Sequence, residues 1–190
     1  MTESPRIDPL PEAEWDDETR AILEATLGMG SEPLNIFTTL ARHPKLLKRW
    51  LVFGNSLLIK GILGGREREL AILRTGWNCR SEYEFGQHVV IGRREGITDA
   101  EIVRLTAGPD EDGWDDLDAV VLRSADELHA DQRISDATWS VLTGYYDDAQ
   151  IIELIMTVGQ YHLVAMTLNS AGVQLDEGVP SFSDLGLDPG

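Results

Sequence analysis

Cysteine is nearly absent: Cys79 is the only one in 190 residues. One thiol excludes an intramolecular disulfide, a CxxC redox pair and a zinc site built from cysteines, and it fits a reducing cytoplasm. Positive charge is scarce as well, with 16 Lys and Arg against 33 Asp and Glu and a formal net charge of −17. Such a surface repels phosphate backbones and anionic membranes, so neither nucleic acid nor a membrane is an expected partner. No glycine-rich phosphate loop, Walker pattern or G-x-G-x-x-G occurs, which leaves a nucleotide cofactor without support. An HExxH or second histidine-rich motif is also lacking, so the chain reads as cofactor-free, with no metal expected. The start, MTESPRIDPLPEAEWDD, is acidic and proline-bearing, without the basic and then apolar order of a secretory signal. No segment alternates at period two for long enough to need a strand.

What is present is helical. At 42% hydrophobic the chain suits one domain over residues 1–190, with a substantial core. Pro5, Pro9 and Pro11 suggest an extended arm over residues 1–14, lying on the body or on a neighbouring subunit. Helical spacing then runs from Trp15 to Leu27 and stops at Gly28 and Gly30. LNIFTTLARHP reads as a helix stopped by Pro44, and KLLKRWLVFGNSLLIKG as another reaching Gly61. A further helix is expected from about Arg66 to Asn78. Ser81-Glu82-Tyr83-Glu84 has the S-x-x-E form of a capping box, which opens a helix near Ser81 that runs to about Arg94. Thr98 to Glu101 repeats the box for a short helix ending at Gly108, and LDAVVLRSADELHAD forms the next.

Two echoes suggest duplicated helical hairpins: ISDATWSVLTG beside ITDAEIVRLTAG, and ELIMTVGQY beside ELAILRTGW. Ile151 to Leu168 has the length of a membrane span but carries Glu153, Gln160 and His162, and is read as a buried helix. Residues 176–190, rich in Gly, Pro and Asp, are expected to form an extended surface tail.

Chemistry concentrates in CRSEYEFGQH, residues 79–88. On a helix starting near Ser81, Glu84 and His88 are four apart and share a face. Such a pair can be ordinary, with Ser81 and Glu84 capping the helix and His88 a surface or satisfied core histidine. Alternatively, Glu69 on the preceding helix joins them, and two carboxylates with an imidazole in a partly dry pocket make a general acid–base set. Arg74, Arg80, Arg66 and Arg68 are the nearby cations for an anionic substrate. His162 and Tyr161 either bond among themselves in the apolar helix or line the far wall of the same cavity. Trp50, Trp77 and Phe85 read as core or subunit contacts.

The pattern Glu69-x11-Ser81-x2-Glu84-x3-His88 in RERELAILR…SEYEFGQH resembles the carboxymuconolactone decarboxylase and alkylhydroperoxidase D family, most strongly over about residues 33–95. The resemblance implies an all-α, alkylhydroperoxidase D-like bundle that is usually a homo-oligomer. Peroxidase-type members use a CxxC pair with an upstream Glu and a downstream His. Here Ser81 and Glu84 occupy the two cysteine positions, while Glu69 and His88 match the relay. A hydroxyl and a carboxylate cannot cycle through a disulfide, so that route is excluded.

Decarboxylase-type members carry Glu and His where Glu84 and His88 stand. They imply a cofactor-free lyase or isomerase moving protons on a small organic acid or lactone. His88, Glu84 and Glu69 are then the catalytic candidates, and Arg74, Arg80, Ser81, Tyr83 and His162 the substrate contacts. Two alternatives stand beside this: a silent binding or oligomeric scaffold, and a peroxidase dependent on Cys79 alone.

Overall fold

The structure, a computed structural model, describes residues 4–27 and 32–189. The stop expected at Gly28 and Gly30, the first three residues of the arm and Gly190 lie outside the described residues. Among the described residues nine α-helices follow one another with no strand: α1 (Asp17–Glu24), α2 (Asn35–Leu40), α3 (Pro44–Leu58), α4 (Gly65–Asn78), α5 (Glu82–Arg94), α6 (Asp99–Ala107), α7 (Asp116–Asp131), α8 (Asp136–Leu142) and α9 (Asp148–Ala171). Short 3-10 turns lie at Glu12–Glu14 and Ser183–Leu185. The all-α reading of the sequence holds among the described residues.

The starts are fixed by side chains that accept from free backbone N–H groups, as helix N-termini require. Asp16, Asp115 and Ser135 each accept from the residue three positions on. Complete capping boxes open α6, from Thr98 and Glu101, and α9, from Asp147 and Gln150. The echoed ITDA and ISDA segments thus become the capped starts of two short helices, α6 and α8.

Helix α4 is the axis of the bundle and is wrapped by α5, α6, α7 and α9. Its residues from Glu69 to Gly76 are all buried, as expected of a helix whose neighbours cover every side. Its exit explains where the site lies. Arg80 is left-handed (φ 50°), the Ser81 N–H donates to the Gly76 carbonyl at 2.9 Å, and the Arg80 N–H donates to the Trp77 carbonyl at 2.9 Å. This is a Schellman turn with arginine in the position glycine usually holds. It reverses the chain so that α5 packs back along α4.

The described residues of the tail are exposed or half-buried except for one anchor: Phe182 is 6% exposed and packs edge-on to Trp77 and against Phe85. The tail crosses α5 at Gly86, where an added Cβ would stand 2.4 Å from the Pro180 carbonyl oxygen. Helix α9 is only half buried, because Ile152, Leu163 and Met166 are 61%, 52% and 63% exposed. Length and apolar composition would let it cross a membrane, yet its other face packs against α3, α4, α5 and α7. The arm runs over the body: the Arg6 and Ile7 N–H groups donate to the Ala171 carbonyl, and that of Leu10 to the Thr38 carbonyl.

Candidate functional site

Antiparallel packing of α4 on α5 brings Glu69 to His88, nineteen positions apart. The imidazole Nδ1 lies 2.6 Å from a Glu69 carboxylate oxygen, and Nε2 lies 3.1 Å from Glu84, one helical turn back on α5. Arg68 Nε donates to the second Glu69 oxygen at 3.0 Å. The result is a line of alternating charge, Arg68, Glu69, His88, Glu84, running from the outer side of α4 toward a pocket. Glu69 is fully buried, and Glu84 and His88 are nearly so.

The electrostatics follow from this order. Burial works against a charged imidazole, but Glu69 and then Glu84 outweigh it, and His88 is pushed up to about 10. Burial also opposes the Glu69 charge, yet His88 and then Arg68 hold its carboxyl below the usual range. At neutral pH the site therefore holds an imidazolium bonded to an ionised Glu69 on one side and to Glu84 on the other. Tyr161 of α9 meets the His88 ring edge-on, with centroids 4.8 Å apart. Burial first, then Glu84 and Glu69, keep its hydroxyl neutral well beyond the ordinary range.

A cavity of about 140 Å³ opens at the Glu84 end of this line. Its walls are largely apolar, from Ile36, Phe37, Trp50 and Val164 among others, and Tyr83, Glu84, Gln87, His88, Gln160 and Tyr161 supply the polar groups. One face is fixed by the tail. Asp176 accepts from the Tyr83 hydroxyl at 2.5 Å, from Gln87 at 2.7 Å and from the Asn35 N–H at the start of α2 at 2.9 Å. The Ile36 N–H donates to the Tyr83 oxygen at 3.2 Å.

The remaining candidates are placed elsewhere. Arg74 is held by Asp126 at 2.6 Å and by the Leu105 and Thr106 carbonyls; it joins α4 to α6 and α7 and does not line the cavity. Arg80 is exposed at the turn. Arg66 bonds Asp118 and Glu101, and Arg68 is committed to Glu69. No arginine among the described residues lines this pocket, so none holds a substrate carboxylate there.

Ser81 starts α5 without a capping bond, and its buried Oγ has no partner among the described residues. The capping box is absent because Glu84, its other half, turns to His88 instead. His162 points away from the cavity toward His129, at 2.9 Å. Its neighbours Gln160 and Tyr161 line the wall in its place, since one residue turns the side chain by about 100° on a helix. The sequence of α9, apolar on nearly every side, does not separate the faces of Tyr161 and His162. The Cys79 thiol is pushed up to about 11 by burial and by Glu84, so it is protonated at neutral pH, and a protonated thiol is a poor nucleophile.

Residues 44–127 match the carboxymuconolactone decarboxylase family. That segment contains Glu69, Ser81, Glu84 and His88, and the chain is carboxymuconolactone decarboxylase-like there. The fold is shared with solved structures at low identity. A peroxidase-related protein of Ralstonia eutropha JMP134, described as an alkylhydroperoxidase AhpD core, aligns with TM-score 0.79 at 19% identity, covering 90% of this chain and 92% of that one. A peroxidase-related protein of Silicibacter sp. TM1040 gives 0.76 at 19%, covering 93% and 92%. A variant of the debrominase Bmp8 in complex with 2,3,4-tribromopyrrole gives 0.67 at 13%, covering 93% and 95%. No curated protein matches the chain.

Proposed function

We propose that the chain is a cofactor-free enzyme that moves a proton on a small, neutral, ring-sized molecule, a lactone or related carbonyl compound, with isomerisation or lactone rearrangement as the net reaction. The observation that carries this reading is the Glu69–His88–Glu84 line ending at the wall of an apolar cavity. An apolar cavity of this size takes a molecule like benzene. The tribromopyrrole bound by the debrominase is of the same order of size, which agrees with ring-sized ligands in this fold.

The division of labour follows from position. Glu84 lines the cavity and is the group that touches substrate, taking a proton from the carbon beside the carbonyl and returning it at the conjugated carbon. His88 lines the cavity beside it, aims the Glu84 carboxylate, and keeps positive charge next to it while electron density moves onto the carbonyl oxygen. Glu69, fully buried, is a positioning residue: it fixes the imidazole orientation and keeps it protonated. Decarboxylation of an anionic acid is the less favoured arm, because its carboxylate would meet Glu84 without an arginine to hold it. The large exposed apolar side chains of α3 and α9, including Val52 and Met166, support a homo-oligomer, and the absence of paired thiols agrees with a cytoplasmic setting.

A panel of small unsaturated lactones, followed by absorbance and NMR for isomerisation, tests the reading with wild type and Glu84→Gln. General acid–base groups contribute roughly 10²–10⁴-fold, so the variant should lose at least about 100-fold in rate while keeping its fold. Conversion at an unchanged rate in Glu84→Gln would remove the mechanism. Lack of conversion by the wild type, with the lactones seen to occupy the cavity, would leave the binding-scaffold reading.

A further inference from the structure

We propose that Cys79, His129 and His162 form a mixed thiolate–imidazole site for Zn2+, separate from the His88 cavity. The three come from three elements: the C-cap of α4, the last turn of α7 and the middle of α9. Their donor atoms all lie within 4.8 Å of one another. His129 Nδ1 is 4.0 Å from Cys79 Sγ and 2.9 Å from His162 Nε2. A tetrahedral zinc with Zn–S of about 2.3 Å and Zn–N of about 2.0–2.1 Å spaces its ligands roughly 3.3–3.6 Å apart. The observed separations bracket that spacing, so side-chain adjustments of about an ångström bring the three onto one ion.

The surroundings are those of a ligand set. His162 Nδ1 lies 2.8 Å from the Val158 carbonyl oxygen, which can only accept, so Nδ1 carries the proton and Nε2 presents its lone pair toward His129 and Cys79. A backbone carbonyl bonded to the far nitrogen is what commonly sets the tautomer of a metal-binding histidine. Without an ion, that lone pair is met by His129, whose Nδ1–H donates to it. Metal binding moves the His129 proton to Nε2 and releases the Cys79 proton to solvent. Asn169 Nδ2 donates to the Cys79 carbonyl at 2.9 Å and fixes the backbone that carries the thiol. His129 is exposed and the other two are partly exposed, which gives an entry path and leaves the fourth coordination position to water or an external ligand.

One thiolate and two imidazoles suit a borderline-soft ion such as Zn2+ better than Mg2+ or Ca2+, which favour oxygen. The single cysteine excluded a site of several thiols; a site that draws its other ligands from α7 and α9 escapes that exclusion because those histidines lie 50 and 83 residues further along the chain.

The test is titration of the reduced full-length protein with Zn2+ against a chromophoric chelator, and with Co2+ read by absorbance. One equivalent per chain is expected, with a thiolate-to-cobalt charge-transfer band and the visible bands of tetrahedral cobalt. Cys79→Ser should abolish the charge-transfer band, His162→Gln should weaken Zn2+ binding at least tenfold, and His43→Gln, at the start of α3, should leave both unchanged. Equal Zn2+ affinity in wild type, Cys79→Ser and His162→Gln would mark adventitious binding to acidic surface and overturn the proposal, as would a cobalt spectrum with no thiolate band. Should Cys79→Ser not fold, alkylation of wild-type Cys79 decides: Zn2+ should protect the thiol, and an unaltered alkylation rate refutes the site.

Discussion

Replacing Glu69 by Gln perturbs the site at its most buried charge. The carboxylate is 0% exposed and bonds both His88 and Arg68; glutamine keeps the volume and removes the charge. Two unit charges about 4 Å apart interact by about 4 kcal/mol at an effective dielectric near 20, which is roughly three pKa units at 1.36 kcal/mol each. His88, held at about 10 in the wild type, should therefore fall toward roughly 7 in the variant.

The stability consequence has a definite sign. A histidine whose folded pKa lies above its unfolded value of about 6.5 contributes stability that is complete below that value and is lost as pH rises toward 10. Wild-type stability should fall between about pH 6.5 and 8.5, and the variant should be nearly flat there. Breaking a buried pair by removing one partner costs about 3–5 kcal/mol. The destabilisation should approach that range near pH 6 and shrink by up to about 2.7 kcal/mol by pH 8.5, at 1.36 kcal/mol per pH unit for one proton. Urea unfolding at a series of pH values, with NMR titration of the labelled His88 imidazole, reads both quantities. A variant within about 0.5 kcal/mol of wild type at pH 6, or one with an unmoved His88 titration, would refute the reasoning.

Phe182→Ala should cost about 3–5 kcal/mol by denaturant unfolding, because the ring is buried against Trp77 and Phe85; a loss under 1 kcal/mol would mean the tail is not part of the core. Arg80→Gly should raise stability by about 0.5–1 kcal/mol, since glycine takes the left-handed conformation at φ 50° without a Cβ penalty; a drop in melting temperature would contradict the turn. Tyr83→Phe removes one donor to Asp176 and should cost about 1–3 kcal/mol, with faster proteolysis of the tail as the second readout; equal stability and equal cleavage would show that the Asp176 cluster does not tie the tail down.

Helix boundaries were legible wherever a local signal is self-contained. Gly108 follows the last residue of α6 as expected, whereas Pro44, expected to stop the preceding helix, is the first residue of α3, a position proline's fixed φ and missing N–H suit, and α2 ends earlier, at Leu40. Thr98 and Glu101 cap as expected, yet the same S-x-x-E pattern at Ser81 does not, since His88, one turn further along α5 and itself fixed by Glu69 of α4, takes the Glu84 carboxylate. The anchor in the tail is not legible, because the surrounding Gly, Pro and Asp hide Phe182, and only the Trp77 and Phe85 rings show where that side chain goes.

At the site, the i,i+4 pair of Glu84 and His88 could be read from helical spacing, and Glu69 from the family pattern. Arg74 could not be assigned, because its partners Asp126, Leu105 and Thr106 lie 31 to 52 residues away. The Gln160, Tyr161 and His162 run needed the axial rotation of α9, which an almost uniformly apolar helix does not reveal by periodicity.

The central claim is that Glu84, aimed by His88, exchanges a proton with a molecule in the cavity. Its most direct measurement is solvent deuterium incorporation: incubate a lactone that binds the protein in D2O, recover it and determine its isotope content by mass spectrometry. Deuterium is expected at the carbon beside the carbonyl with wild type, and incorporation at least about 100-fold slower with Glu84→Gln. Recovery of unlabelled lactone from the saturated wild-type protein, or equal labelling by the variant, would contradict it.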